Sequence, residues 1–229
     1  MAVADNLRLM CVLAHPDDES LGVGGTLARY SREGVETYVV TATRGERGRY
    51  FDNSNRPSQD VVAGTREDEL RAAARELGVK ELVLLDYIDG DLDKADPDEA
   101  VRKIAHQIRR LKPQVVVTFG PEGAYGHPDH IAISQFTGAA IVCAADPNYS
   151  ISGNGSKSPD VHRVDKLYYM EWTHEKWQAY QAAFKDLKTT IDGMERRATP
   201  WPEWVITTVV DTSDDWTTAW RAINCHKTQ

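Results

Sequence analysis

Apolar residues switch repeatedly between a strand-like and a helix-like period along the 229 residues, and that alternation restricts the chain to a small set of α/β folds. Leu7 to Ala14 reads as a short buried strand, and Leu21 to Glu33 as a helix stopped by Gly34. Val35 to Thr43 is a second strand and Leu82 to Leu85 a third. Gln114 to Phe119, nearly all Val, is a fourth, with the composition of a strand covered on both faces. Between these strands the spacing predicts a helix capped by Thr65 and stopped by Gly78, and another from Asp96-Pro97 to Leu111. Helices over His130 to Ala145 and Glu175 to Ile191, strands over Lys166 to Glu171 and Trp204 to Val210, and a last helix from Ser213 continue the pattern. Polar segments from Arg44 to Val61 and from Asn148 to Pro159 read as loops, because the alternation resumes after each. The implied architecture is a single Rossmann-like domain over residues 1–229, with a mostly parallel sheet and helices on both faces.

In such sheets ligands collect beyond the carboxyl ends of the strands, near the switch in strand order. Those places hold the two most unusual segments of the chain. One is Ala14-His15-Pro16-Asp17-Asp18-Glu19, directly after the first strand; the other is Tyr125-Gly126-His127-Pro128-Asp129-His130, shortly after the fourth. Hydrolytic zinc is commonly held by three His and carboxylate ligands, with the remaining position open. One His and one Asp from the first segment plus a His from the second would make such a set. His15 and Asp18 lie three apart across a turn stiffened by Pro16, so both can face one ion while Asp17 stays free as a general base. A lone His or Asp at a strand end is more often a hydrogen-bonded structural residue or a helix cap. Two His-Pro-Asp segments at two strand ends of one sheet are hard to explain that way.

These segments, with Gly24-Gly25-Thr26, Thr43-Arg44-Gly45-Glu46, Arg66-Glu67-x-Glu69-Leu70, Asp89-Gly90-x-Leu92 and the closing His226-Lys227-Thr228-Gln229, resemble the PIG-L/LmbE-like metal-dependent deacetylases over essentially the whole chain. The resemblance implies removal of an N-acetyl group from an N-acetylglucosamine-type amino sugar or its conjugate. It implies Zn2+ held by His15, Asp18 and His130, with Asp17 as general base. His127 would be a charged stabiliser and proton donor, Asp129 would orient a neighbouring His, and Tyr125 would donate to the developing oxyanion. Arg66 and Asp89 would contact the sugar. Two other classes stay open: a metal-dependent hydrolase of another amide or an ester, phosphoesters included, and an inactive binding module of the same fold.

A formal net charge of −8 argues against nucleic acid as a partner, leaving a small-molecule sugar substrate, and assembly into a homo-oligomer stays open. No apolar run approaches the roughly 18–20 residues of a membrane span, and Met1 to Leu9 lacks a leader pattern, so a cytoplasmic enzyme is expected. Gly22 and Gly24 do not begin a dinucleotide-binding loop, since the third glycine of that pattern would fall at Leu27. The six tryptophans, all between Trp172 and Trp220, are expected in core packing or an interface. Cys225 and His226, being adjacent, cannot form a nucleophile–base pair, and neither is given a role.

Overall fold

A computed structural model of the chain describes residues 7–151, 159–184, 188–191, 193–198 and 200–229. Five parallel strands, β1 (Arg8–Leu13), β2 (Glu36–Thr43), β3 (Glu81–Tyr87), β4 (Val115–Phe119) and β5 (Lys166–Met170), form one sheet in the order β3-β2-β1-β4-β5. β1 and β2 are almost entirely buried, as strands of a doubly covered parallel sheet should be. The helices are α1 (Asp18–Arg32), α2 (Gln59–Glu76), α3 (Pro97–Leu111), the single turn α4 (Gly123–Gly126), α5 (Pro128–Ala145), α6 (His174–Phe184) and α7 (Trp216–Ile223).

Right-handed crossovers decide which face each helix covers. The chain steps from β1 to β2 to β3 through α1 and α2, then reverses through α3 to reach β4 on the other side of β1. Reversing direction with the same handedness moves α3 to the opposite face. Consistently, α1, α2 and α7 pack on one another, while α3 packs on α5. The switch in strand order lies between β1 and β4, which is where both His-Pro-Asp segments emerge.

Capping chemistry explains most helix ends. Asp96 caps α3 through bonds from the Asp98 and Glu99 amides, at 2.9 and 3.4 Å, with Pro97 in the first turn. Lys112, at φ +52°, closes that helix before Pro113. Other boundaries differ from the sequence-based reading. α1 begins at Asp18 rather than Leu21, and α5 at Pro128 rather than His130, so metal-ligand candidates sit in first turns. α2 starts after Ser58, and Thr65 lies inside it, donating back to the Val61 carbonyl at 2.9 Å.

The carboxyl-terminal third departs most. α6 ends at Phe184, and the chain then forms an antiparallel hairpin of β6 (Lys188–Ile191) and β7 (Met194–Arg197) where a continuing helix was expected. Trp204 to Val210 is not a strand: a short 3-10 turn spans Glu203–Val205, and the rest runs without ladder partners. The tryptophans are not core residues either. None of the six is buried, and Trp204 is 84% exposed. The loop predicted over Asn148 to Pro159 falls largely outside the described residues.

Candidate metal centre

Asp17, Asp18, Tyr125 and His130 line one cavity of about 160 Å³ over the β1–β4 switch. Directly after β1 the chain turns at Pro16, and Asp18 becomes the first residue of α1. Its Oδ2 accepts the His15 and Ala14 amides at 2.8 and 3.2 Å, which folds the carboxylate back over the turn. His130 sits in the first turn of α5, its ring stacked on Phe119 with centroids 3.8 Å apart.

Three donors thereby converge. His15 Nδ1 is 3.1 Å from His130 Nε2 and 3.7 Å from Asp18 Oδ2, while His130 Nε2 is 3.6 Å from Asp18 Oδ1. Bond lengths of about 2.0–2.1 Å around a tetrahedral zinc place neighbouring donors roughly 3.3 Å apart. The two imidazole nitrogens stand near that spacing, while Asp18 approaches each through a different oxygen, so binding one ion would draw a single carboxylate oxygen toward both. The electrostatics fit as well. Burial raises the Asp18 carboxyl to about 7, with His15 opposing, so a cation among these groups would relieve a buried acid. His127 offers a further nitrogen within 4.8 Å of the His15 and His130 nitrogens.

The far side of His15 is held by carboxylates. Its Nε2 lies 3.0 Å from Asp129 Oδ2 and 3.2 Å from Asp89 Oδ1, which turns Nδ1 toward the trio. Burial acts against a charged His15, yet Asp129, Asp89 and Asp18 together hold its pKa well above the ordinary value. Asp129 is fully buried and also accepts the Gly90 and Leu92 amides at 2.7 and 3.1 Å. Asp89 accepts the Arg47 amide at 3.0 Å through its other oxygen.

Asp17 stays outside the trio. Its Oδ2 receives Arg66 at 3.2 Å, and the same guanidinium bonds the Pro16 carbonyl at 2.6 Å and the Gly45 carbonyl at 2.8 Å. Burial raises the Asp17 pKa, and Arg66 pulls it back. Arg66 is 3% exposed, and Asp89 is also buried. Of the two residues expected to contact the sugar, Arg66 bonds Asp17 and Asp89 bonds His15.

Tyr125 lies on α4, where Gly123, Ala124 and Gly126 all have positive φ. Its ring stands edge-on to His130, centroids 5.2 Å apart. Burial, with Asp18 and Asp17 next, pushes the Tyr125 phenol above its usual value, so it remains an O–H donor. His127 Nδ1 accepts the Asp129 amide at 3.2 Å, so Nε2 carries the proton of the neutral ring. Burial, then His15, lowers its pKa to about 4. These neighbours favour the neutral imidazole at His127, whose Nε2–H is then a hydrogen-bond donor.

Several buried polar residues behind the site escaped the sequence reading. Glu19 is fully buried and bonds His226 Nε2 at 2.7 Å, while Glu69 accepts both the amide and the hydroxyl of Thr228, at 3.0 and 2.8 Å. The closing His226-Lys227-Thr228-Gln229 was a visible motif, but nothing local indicates which buried acids receive it. Glu46, in the polar segment after β2, is buried and accepts from the Asp89 amide at 3.1 Å.

Comparison with known proteins shows the family and the fold. The family model PIG-L, described as GlcNAc-PI de-N-acetylase, matches residues 10–141. A 1D-myo-inositol 2-acetamido-2-deoxy-alpha-D-glucopyranoside deacetylase of Streptomyces griseus is 38% identical over 206 residues, covering 81% of this chain and 61% of the relative. The chain thus spans less than two thirds of that relative's length. A deacetylase of the same description (numbered 2) from Catenulispora acidiphila is 34% identical, covering 96% of this chain and 79% of its own. The solved N,N'-diacetylchitobiose deacetylase of Pyrococcus horikoshii superposes with a TM-score of 0.74 at 25% identity, covering 98% of this chain and 71% of that one.

Proposed function

The chain belongs to the PIG-L family of GlcNAc-PI de-N-acetylases, and from that premise we propose that it is a zinc-dependent N-deacetylase. It removes the acetyl group, as acetate, from an N-acetylglucosamine-type amino sugar or its conjugate. The observation that carries this reading is the convergence of His15, Asp18 and His130 at a cavity that Asp17, outside the trio and paired with Arg66, also lines. Residues 1–229 act as one domain in this reading. Among the described residues no helix is long and apolar enough to cross a membrane.

When bound, the zinc supplies Lewis acidity, polarising the amide carbonyl and lowering the pKa of water at the site. Asp17 takes the proton from the attacking water, and burial suits it by raising its basicity. Arg66 aims that carboxylate, while Asp129 and Asp89 hold the His15 ring in its tautomer and orientation. The Tyr125 hydroxyl and the His127 Nε2–H donate to the carbonyl oxygen as negative charge gathers on it. Protonated Asp17 then returns its proton to the departing nitrogen. Trp172 and Tyr180 line the same cavity and offer aromatic faces to a sugar ring.

A panel of N-acetylated sugars and conjugates tests the proposal, with free amine and acetate measured together. Equimolar release of both is expected from at least one N-acetylglucosamine conjugate, and it should depend on zinc. Hydrolysis of esters alone, with no amide cleaved by zinc-loaded protein, would reject the substrate class.

Tyr125→Phe removes one oxyanion donor without changing the shape of the ring. A well-placed donor contributes about 10²–10³ in kcat, and the low end is expected because the positive-φ turn carrying Tyr125 is conformationally strained. KM should hold, since the interaction forms mainly in the transition state. Steady-state kinetics on the best substrate decides it, and an unchanged kcat removes Tyr125 from the mechanism.

A further inference from the structure

We infer that His226, 207 residues away along the chain from Glu19, is a positioning residue that acts through Glu19 on Asp17. The inference rests on the reading of Asp17 as the general base. Asp17 precedes α1 with φ +105° and ψ −27°, a backbone conformation that residues with a side chain rarely adopt, and its own side chain makes no capping bond. Such a conformation persists only when neighbours hold it. Besides the Asp17 carbonyl, which accepts the Ser20 and Leu21 amides at 3.1 and 2.9 Å, two side chains do so here: Arg66 grips the carboxylate, and Glu19 Oε2 accepts the Asp17 amide at 3.0 Å.

Glu19 can hold that amide only while its own carboxylate is fixed. Its other oxygen accepts from His226 Nε2 at 2.7 Å and from Ser20 Oγ at 2.5 Å, and the side chain is entirely buried. His226 is in turn anchored by its neighbours in sequence. Thr228 bonds Glu69 twice and accepts the Phe51 amide at 2.7 Å, and Gln229 Nε2 donates to the Arg49 carbonyl at 2.8 Å. Removing the imidazole leaves the buried Glu19 oxygen with the Ser20 hydroxyl as its remaining side-chain donor. Glu19 is then free to turn away, which loosens the Asp17 amide and with it the direction of the base.

A double-mutant cycle tests this, with kcat, KM and zinc content measured on the zinc-loaded full chain. His226→Ala should lower kcat by roughly 10–100-fold, the scale of a small misplacement of a reacting group, with KM and zinc unchanged. His226→Gln, whose amide nitrogen can reach Glu19, should recover most of that loss. In an Asp17→Asn background His226→Ala should cost less than about twofold more, because the group it positions is already disabled. If the alanine variant does not fold, His226→Asn, too short to reach Glu19, takes its place in the cycle. Wild-type kcat on losing the imidazole, or the same fold-loss with and without Asp17, overturns the inference. Failure of the underlying reading is seen separately, as wild-type turnover by Asp17→Asn alone.

Discussion

Asp17→Asn is expected to keep its zinc and its fold while kcat falls by about 10²–10⁴. The amide has the size of the carboxylate and retains an oxygen for Arg66, which bonds Asp17 Oδ2 at 3.2 Å. What disappears is the capacity to accept a proton from water and return it to nitrogen. At about 1.36 kcal/mol per tenfold, that loss corresponds to roughly 3–5 kcal/mol of transition-state stabilisation. Single-turnover kinetics with metal analysis on the same sample separates the outcomes. Undiminished turnover rejects Asp17 as the base. Lost zinc would mean that Asp17 and Asp18 exchange roles, contrary to the separations of 3.7 and 3.6 Å that tie Asp18 to the two imidazoles.

The second large effect concerns the metal. Wild-type protein should carry about one zinc per chain, lose activity to a chelator and regain it with added Zn2+. His130→Ala should abolish tight zinc binding and activity together, because it removes one of the three proposed donors. Asp18→Asn is the cleaner partner variant. Its side-chain oxygen can still accept the Ala14 and His15 amides, so the turn survives while the anionic donor is gone. Thermal melts supply a readout independent of turnover, since an ion that binds the folded state alone raises its melting temperature. Added zinc should shift the wild-type melt and leave both variants unmoved. Full zinc content in either variant would remove that residue from the ligand set.

How much of this was legible follows from where the relevant physics acts. The β/α alternation was readable because each buried element must present its own apolar stripe or face, a property of neighbouring residues. β1, β2, β3, β4, α3 and the existence of α5 are of this kind. Trp204 to Val210 misled because a run of Trp, Val, Ile and Thr looks like a strand whether or not a neighbouring strand is there to pair with it. The long helix expected over Glu175 to Ile191 failed for a related reason. Lys188–Ile191 becomes a strand only through pairing with Met194–Arg197, within a small hairpin whose side chains are largely exposed. Apolar periodicity says little about a segment that buries so little.

The site divides along the same line. His15, Asp18 and His130 were within reach because two short segments carry them and parallel-sheet topology brings the ends of β1 and β4 together. Arg66 and Asp89 were visible as chemistry, but not their partners within the fold. Which group a guanidinium or a carboxylate meets depends on what the fold brings near, and here Arg66 bonds Asp17 and Asp89 bonds His15. Glu19 with His226 and Glu69 with Thr228 lay beyond reach altogether. A buried acid must find a partner, but the rule does not say where in the chain the partner lies. Separations of 207 and 159 residues leave no periodic trace, and only the packed fold brings those ends together.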